Sequence, residues 1–207
     1  MKHLPAWSDQ GNAGLPIDIR VLAPAELHTA GMILATGMRD NPLHVRAFGA
    51  GPGRRQHRLQ RFLGKLLVHV HTHGTLLGAD VRGERVGVLG MLKPGWCRLT
   101  PLDTLRLAGV IGTGNPPAVT WRICRWLTAW AHNDPSTPHW RVGPLAVLPA
   151  WRRRGVGRSL MQQCCQRVDA RAASAWLETD LAVNAIFYAT FGFLIPHVTH
   201  PRLRGDS

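Results

Sequence analysis

The order of hydrophobic and polar positions predicts a mixed α/β chain whose N-terminal half contributes strands and two helices. Alternation over Ile17–Leu22 is typical of a half-buried strand, and proline opens a predicted helix over Pro24–Met38. Apolar residues at helical spacing predict a second helix over Arg54–Val70, after a glycine-rich break at 49–53. Two strands, Thr75–Val81 and Arg85–Leu92, form a predicted hairpin about Gly83.

The C-terminal half continues with helices and short strands. Residues 101–133 are predicted to be helical and are split by a break at 112–117. An extended segment, His139–Val147, precedes a helix that places Val156, Leu160, Cys164 and Val168 on one apolar face. The predicted elements that follow are a strand at Ala175–Asp180, a helix at Asn184–Phe191 and a strand at Gly192–Val198.

Composition fits one folded domain. The chain has 207 residues and a 45% hydrophobic share, enough to fill a core. We expect a single domain over residues 17–198, a flexible tail at 1–16 and a C-terminal tail at 199–207. Neither a secretory signal nor an apolar run of membrane-spanning length is visible, and we expect no membrane association. The four cysteines, two of them adjacent, suit neither a disulfide framework nor a metal site, so a reduced, cytoplasmic protein is expected.

The net charge of the chain narrows the classes of partner that it could bind. The formal net charge of +13 favours an anionic partner such as nucleic acid, a phosphorylated cofactor or an acidic surface. The charges are spread along the chain, so a basic solvated surface without a specific ligand is an equal alternative.

The segment Pro149–Met161 has the features of an anion-binding site. A Gly-x-Gly connects the preceding strand to the start of a helix, where the first N–H groups lack partners and the helix dipole is positive. Glycines at 155 and 157 would let a ligand approach the backbone, and four arginines would add charge: Arg152, Arg153, Arg154 and Arg158. The segment lacks the third glycine of the dinucleotide fingerprint and the Gly-Lys-Ser/Thr of the ATP-binding loop.

The pattern Arg152-x-x-Gly155-x-Gly157 resembles the Q/R-x-x-G-x-G/A signature of the GNAT superfamily of N-acetyltransferases. The preceding "GPLAV" resembles the central strand of that family, and "NAIFYATFGF" (Asn184–Phe193) resembles a later family segment. The resemblance covers residues 139–198. It implies a mixed α/β fold with a mostly antiparallel sheet, a splayed central strand and helices on both faces. The region 101–133 is then a helical insertion before that strand, which either roofs the acceptor site or extends the core.

The resemblance also implies an activity, direct transfer of an acetyl group from acetyl-coenzyme A to a primary amine. Main-chain groups of Leu145, Ala146 and Val147 would then bind the pantetheine arm. The pyrophosphate would lie in the loop Arg152–Arg158, which includes Val156, and Asn184 would lie near the cofactor. Tyr188 would protonate the leaving thiolate. No metal is implied. The acceptor could be a small amine, an antibiotic, a peptide N-terminus or a protein lysine, and a homodimer is plausible by analogy.

Several alternatives stay open. The general base is Glu178, Asp180, His139 or a water molecule. Arg122 and Arg125, which lie among tryptophans, support a nucleic-acid-binding protein, and the lack of an obvious base keeps a non-catalytic acyl-coenzyme A sensor in view. Three histidines at 69–73 form only a weak metal-binding motif. The terminal "RGDS" resembles an adhesion tripeptide, and we interpret this likeness as a coincidence.

Overall fold

The computed structural model describes residues 16–97 and 101–194. Within them the strands of the sheet are β1 Ile17–Val21, β2 Gly74–Val81, β3 Glu84–Leu92, β4 Trp140–Val147 and β5 Ala175–Trp176. The α-helices are α1 Leu27–Met38, α2 Pro42–Phe48, α3 Pro52–His73, α4 Pro101–Gly114, α5 Pro117–Asn133, α6 Val156–Asp169 and α7 Ala182–Ala189.

The strands form one sheet in sequence order, β1-β2-β3-β4-β5. The first four are antiparallel neighbours, whereas β5 runs parallel to β4. That last pairing is short, because only Trp140 and Arg141 of β4 lie opposite Ala175 and Trp176. From Val142 onward β4 has a neighbour on the β3 side alone within the described residues. The predicted fold class, including the splayed central strand, is therefore confirmed.

Helices cover both faces of the sheet. One core cluster joins side chains of α1–α5 to Leu76, Val88 and Ala146 of the sheet. The other joins α6 and α7 to the opposite face, including Leu89 and Val142. Val156, Leu160, Cys164 and Val168 of α6 are all buried, so the predicted apolar face of this helix is confirmed.

The helical insertion is also confirmed and consists of α4 and α5, with a break between Gly114 and Pro117. Leu107 and Ile111 of α4 and Val119, Ile123 and Trp126 of α5 are buried in the core cluster with α1–α3. The indole ring of Trp126 lies 5.4 Å from the ring of His44, 6.2 Å from Phe48 and 6.0 Å from Phe62, measured between centroids. The contacts with His44 and Phe48 are edge to face, and the Phe62 ring is tilted.

Four details of the sequence prediction need correction. The predicted strand Ala175–Asp180 is a strand only at its first two residues, because β4 has diverged before it can pair with Leu177 and beyond. The last helix is shifted two residues toward the N-terminus, and α3 extends to His73. Residues 192–194 are not a strand, and the rest of the predicted strand to Val198 lies outside the described residues.

The short helix α2 was not predicted, although its start carries a readable signal. The side chain of Asn41 caps it by accepting a hydrogen bond of 2.8 Å from the N–H of Leu43, and Pro42 occupies the first helical position. Gly49, which ends the helix, has φ of +99°, a conformation that favours glycine. Because α2 supplies residues to the site described below, this omission hid part of the site.

Candidate active site

The open edge of β4 exposes main-chain hydrogen-bonding groups. The N–H of Leu148 donates to the carbonyl oxygen of Val86 at 2.9 Å. Hydrogen-bonded and non-bonded pairs alternate along an antiparallel ladder, so Ala146 faces Val88 of β3, while Leu145 and Val147 direct their N–H and C=O groups away from it. The carbonyl of Val147 accepts a hydrogen bond from Arg152 Nε at 3.3 Å. Both groups of Leu145 and the N–H of Val147 are thus available to a ligand.

The N-terminus of α6 lies beside this edge. Gly155 is its N-cap and has φ of +85°, which a side chain would strain. The first backbone bond of the helix runs from the N–H of Ser159 to the carbonyl of Gly155, so the N–H groups of Val156, Gly157 and Arg158 have no backbone acceptor. A Cβ added at Gly157 would lie 3.8 Å from Phe187 and 3.8 Å from Val147, which is ordinary contact. No described protein group therefore requires glycine at position 157. A ligand that approaches the amides would require it, because a side chain there would stand in its way.

The four predicted arginines differ in their surroundings. Arg152 connects α1 to β4, because its Nη2 donates to the carbonyl of Gly37 at 2.6 Å and its Nε donates to the carbonyl of Val147. The guanidinium of Arg154 lies 5.3 Å from the ring of Trp151, and that of Arg158 lies 5.7 Å from Phe191. Arg153 is exposed. All four side chains lie in or next to the first turn of α6, where they add positive charge to the unpaired amides.

A cavity of about 760 Å³ opens at the point where β4 leaves β5. Residues of β4 from Arg141 to Leu145 form one side of it. The segment Glu178–Asp180 and two residues of α7, Asn184 and Tyr188, form another. Helices α2–α5 close the rest, so the insertion both extends the core and roofs the cavity.

Glu178 is tied to a buried ion-pair network. Arg141 Nη2 donates to Glu178 Oε2 at 3.1 Å, and Arg141 Nη1 donates to Asp134 Oδ1 at 2.6 Å. Burial raises the pKa of Glu178, although the Arg141 guanidinium opposes that shift. Arg141 is shared between Asp134 and Glu178, so Glu178 is held in place by an ion pair that it does not have to itself.

Asp180 is held by a different contact. Asn41 Nδ2 donates to Asp180 Oδ1 at 2.9 Å, while the carbonyl of the same asparagine side chain caps α2. Among the described residues no lysine or arginine pairs with Asp180. The carboxylate is thereby oriented without being neutralised, and it lines the cavity.

His44 is a cavity residue that sequence reasoning missed. Its Nδ1 lies 2.8 Å from the carbonyl of Met38, and the ring is buried against Phe48 and Trp126. Burial lowers the pKa of His44, so its imidazole is neutral at pH 7. With Nδ1–H donating to Met38, Nε2 is left as an acceptor. Recognising the Asn-Pro start of α2 would have placed this histidine on a helix.

Tyr188 and Asn184 both line the cavity from α7. The Tyr188 ring packs 5.4 Å from Phe187 and 6.2 Å from Phe193, between centroids. Burial raises the pKa of Tyr188 to about 12, with a smaller contribution from Cys164. The phenol thus keeps its proton throughout the physiological range.

The remaining candidates lie away from the β4 end of the cavity, although His69 lines its helical side. His139 is buried outside the cavity lining, with Nδ1 2.8 Å from the carbonyl of Thr137 and Nε2 3.3 Å from Asp134. His69 and His73 lie one helical turn apart on α3, and His73 stacks on Trp96. No cluster of three or more metal-ligating side chains was found in the part of the chain that the structure describes. "RGDS" lies outside that part.

Comparisons with known proteins agree with this geometry. The sequence model of the acetyltransferase (GNAT) family matches residues 42–193. A mycothiol acetyltransferase of Thermobifida fusca is 36% identical over 64 residues, which is 31% of this chain and only 19% of that protein. No helix of the described residues is long and apolar enough to cross a membrane.

Two solved structures share the fold. One, from Corynebacterium glutamicum, is described as "histone acetyltransferase HPA2 and related acetyltransferase"; it is 21% identical with a TM-score of 0.64, over 87% of this chain and 88% of that one. The other is a GNAT family acetyltransferase of Brucella melitensis in complex with acetyl-CoA. It is 16% identical with a TM-score of 0.50, over 88% of this chain and 85% of that one.

The raised pKa of Tyr188 can be measured directly, because the chain contains a single tyrosine. Tyrosinate absorbance should reach half its final value at about pH 12 in the folded protein and at about pH 10 in urea. Because the folded state holds this proton more tightly, the group should lower the free energy of unfolding as pH rises from about 10 to about 12. A midpoint near pH 10, with circular dichroism still showing a folded chain, would contradict the burial of this phenol.

Proposed function

Because this chain belongs to the acetyltransferase (GNAT) family, we propose that it transfers an acetyl group from acetyl-coenzyme A directly to a primary amine. One observation carries the proposal. The unpaired main-chain groups of Leu145 and Val147 lie next to the unpaired amides at the start of α6, and the cavity adjoins that β4 edge. The donor needs this combination, since it has a long amide-containing arm and a pyrophosphate.

The two parts of the donor have separate binding groups. The amides of Val156, Gly157 and Arg158, with the arginines around them, receive the pyrophosphate as a helix N-terminus receives an anion. The open groups of Leu145 and Val147 pair with the pantetheine arm as an added strand would. Ala146 contributes less to the arm than the sequence pattern implies, because its main chain faces β3. Asn184 lies further along the cavity, beside Tyr188.

The reaction needs a free amine lone pair, which attacks the thioester carbonyl as the C–S bond breaks. An alkylammonium has a pKa near 10, so one proton must leave the nitrogen first. We assign its removal to Asp180, either directly or through one water molecule. Asp180 lines the cavity and is oriented by Asn41, while Glu178 is engaged by Arg141, which also binds Asp134. His44 offers a neutral acceptor on the α2 side of the same cavity.

The departing thiolate gains from a proton donor, and we assign that role to Tyr188. The phenol is protonated at every pH at which the enzyme would operate. A thiol has a pKa of about 8.5, well below that of this phenol, so full proton transfer to sulfur is unfavourable. Tyr188 therefore acts mainly as a hydrogen-bond donor to the sulfur, and its effect belongs at the lower end of the 10²–10⁴-fold range for acid catalysis.

The alternative functions lead to different results in the same measurements. Tight acetyl-coenzyme A binding without thiol release for any amine would indicate a sensor. Strong binding to duplex DNA together with no acetyl-coenzyme A binding would indicate a nucleic-acid-binding protein instead.

Gly157→Ala should weaken acetyl-coenzyme A binding about tenfold or more, because the new methyl group stands where a phosphate must approach the amides. The melting temperature should stay the same or rise slightly, since alanine favours a helix over glycine by roughly 0.5–1 kcal/mol. Isothermal titration calorimetry measures the dissociation constant. Gly64→Ala on α3 is the matched control, because a Cβ there meets nothing within 4 Å. Equal affinities of the two variants would contradict the pyrophosphate site.

Tyr188→Phe should lower kcat about 100-fold, because the leaving sulfur loses its hydrogen-bond donor. The affinity for acetyl-coenzyme A should change little. Thiol release under single-turnover conditions is the appropriate measurement, so that product release does not mask the chemical step. A single-turnover rate equal to wild type would remove Tyr188 from the reaction.

Asp180→Asn should reduce kcat/KM for the amine about 100-fold, while Glu178→Gln should reduce it less than about tenfold. The asparagine keeps an oxygen for the hydrogen bond from Asn41, so the variant tests charge and not shape. Both variants are compared by thiol release across pH, with melting temperatures as a check on folding. The reverse ranking would make Glu178 the general base.

A further inference from the structure

Much of the inner wall of the cavity is apolar. Leu63 and Leu66 of α3, Leu107 and Ile111 of α4 and Leu127 of α5 line it. These side chains offer no hydrogen-bonding groups, so water beside them has few partners and an apolar ligand displaces it favourably. Leu107 and Ile111 are also buried parts of the main core, which makes this wall a fixed feature of the fold.

The charged groups lie at the other end, near β4, while His69, Cys124 and Thr128 are the polar members of the described lining from α3–α5. Asn41, Glu178 and Asp180 lie there, joined by the contacts of Arg141 and Asn41. Tyr188 packs with the core cluster on the opposite face of the sheet from α3 and α4. The cavity thus has a reactive polar end, where the amine and the thioester would meet, and an apolar end that the acetyl donor does not need.

The charges of the polar end fit one cation. Glu178 and Asp180 supply two carboxylates, and Glu178 shares the guanidinium of Arg141 with Asp134, whereas Asp180 has no such contact among the described residues. Arg141 is the one lysine or arginine among the described residues of the lining. One carboxylate, Asp180, is left for an incoming ammonium group.

The volume leaves room for a sizeable acceptor. A cavity of about 760 Å³ lies within the range of about 300–1,000 Å³ that holds drug-sized ligands. An acetyl group has only two carbons and occupies little of it. The end of the pantetheine arm would enter beside Leu145, so the part of the cavity that α3, α4 and α5 line is left for the acceptor.

We propose that the acceptor is a primary monoamine on a large apolar body, such as a long alkylamine or an arylalkylamine. This inference rests on the proposed acetyl transfer and names its substrate class. Polyamines and aminoglycosides are poor acceptors by the same reasoning, because their further ammonium groups would face the apolar wall without a partner.

A homologous series of linear amines from propylamine to octylamine tests the proposal, with acetyl-coenzyme A as the donor and thiol release as the readout. These amines have nearly equal basicity, so differences in kcat/KM among them reflect the contacts made by the alkyl chain. The value of kcat/KM should rise about fourfold for each added methylene until the cavity is full. The diamine 1,8-diaminooctane should react at least about tenfold more slowly than octylamine, because its second ammonium is desolvated.

A pair of leucine substitutions locates the effect. Leu127→Gln places an amide in the cavity wall and should flatten the dependence on chain length, so that octylamine loses much more of its kcat/KM than propylamine does. Leu105→Gln makes the same change on α4, where the side chain is 69% exposed, and should keep the dependence of wild type. The dissociation constant of acetyl-coenzyme A should be the same in both, which shows that each variant is folded.

Three outcomes would overturn the inference while leaving acetyl transfer intact: rates that do not depend on amine length, diamines that react as fast as monoamines, or equal effects of the two leucine variants. A rate with propylamine that rises from acetyl- to octanoyl-coenzyme A would overturn it too, because the cavity would then hold the donor's acyl chain. Absence of thiol release with every amine, including polyamines, would instead refute the proposed function itself.

Discussion

The divergence of β4 from β5 after two paired residues is the constraint on which the site depends. A sheet normally satisfies the main-chain groups of an inner strand on both sides. Here the pairing stops at Arg141, and a bulge follows at once, since Gly143 and Pro144 together oppose Gly90 of β3. Proline has no N–H to donate, so a continuous ladder on both sides could not pass through it. The unpaired groups beyond this point are those that we assign to the acetyl donor.

Side-chain ion pairs also stabilise the place where β4 separates from β5. Arg141 is the last residue of β4 that pairs with β5, and its guanidinium spans from Asp134, before β4, to Glu178, beyond β5. Both carboxylates and the guanidinium are largely buried, so loss of one partner would leave a charge without compensation. The network thus links the segments on either side of the point where the strands separate, and it holds Glu178 in an ion pair. One set of contacts therefore supports the cavity wall and motivates our proposal of Asp180 as the base.

Local patterns predicted the longer helices and the hairpin well, because their signals lie close together in the sequence, although the short helix α2 was missed. The turn at the start of α6 could be predicted from Gly155 and Gly157 for the same reason. The length of β5 could not be predicted in this way. The segment Leu177–Asp180 keeps the alternation of a strand, but it does not form one because β4 has diverged from it. The contact between Asn41 and Asp180 was equally hidden, because it joins residues 139 positions apart in sequence. The roles of Glu178 and Asp180 were separable only once their partners were known.

The helical insertion shows how one element can serve stability and recognition together. Trp126 attaches α5 to the aromatic rings of α2 and α3, and Val119 and Ile123 of the same helix are buried in the same core cluster. Trp126 also lines the cavity, as does Leu127, which is displaced by about 100° around the helix axis and packs against that core cluster. Exposed Trp121 and Leu105 lie on outer faces of the same pair of helices. The residues that hold the insertion in place thus overlap with those that line the cavity, so a change at Trp126 would alter both the attachment and the cavity.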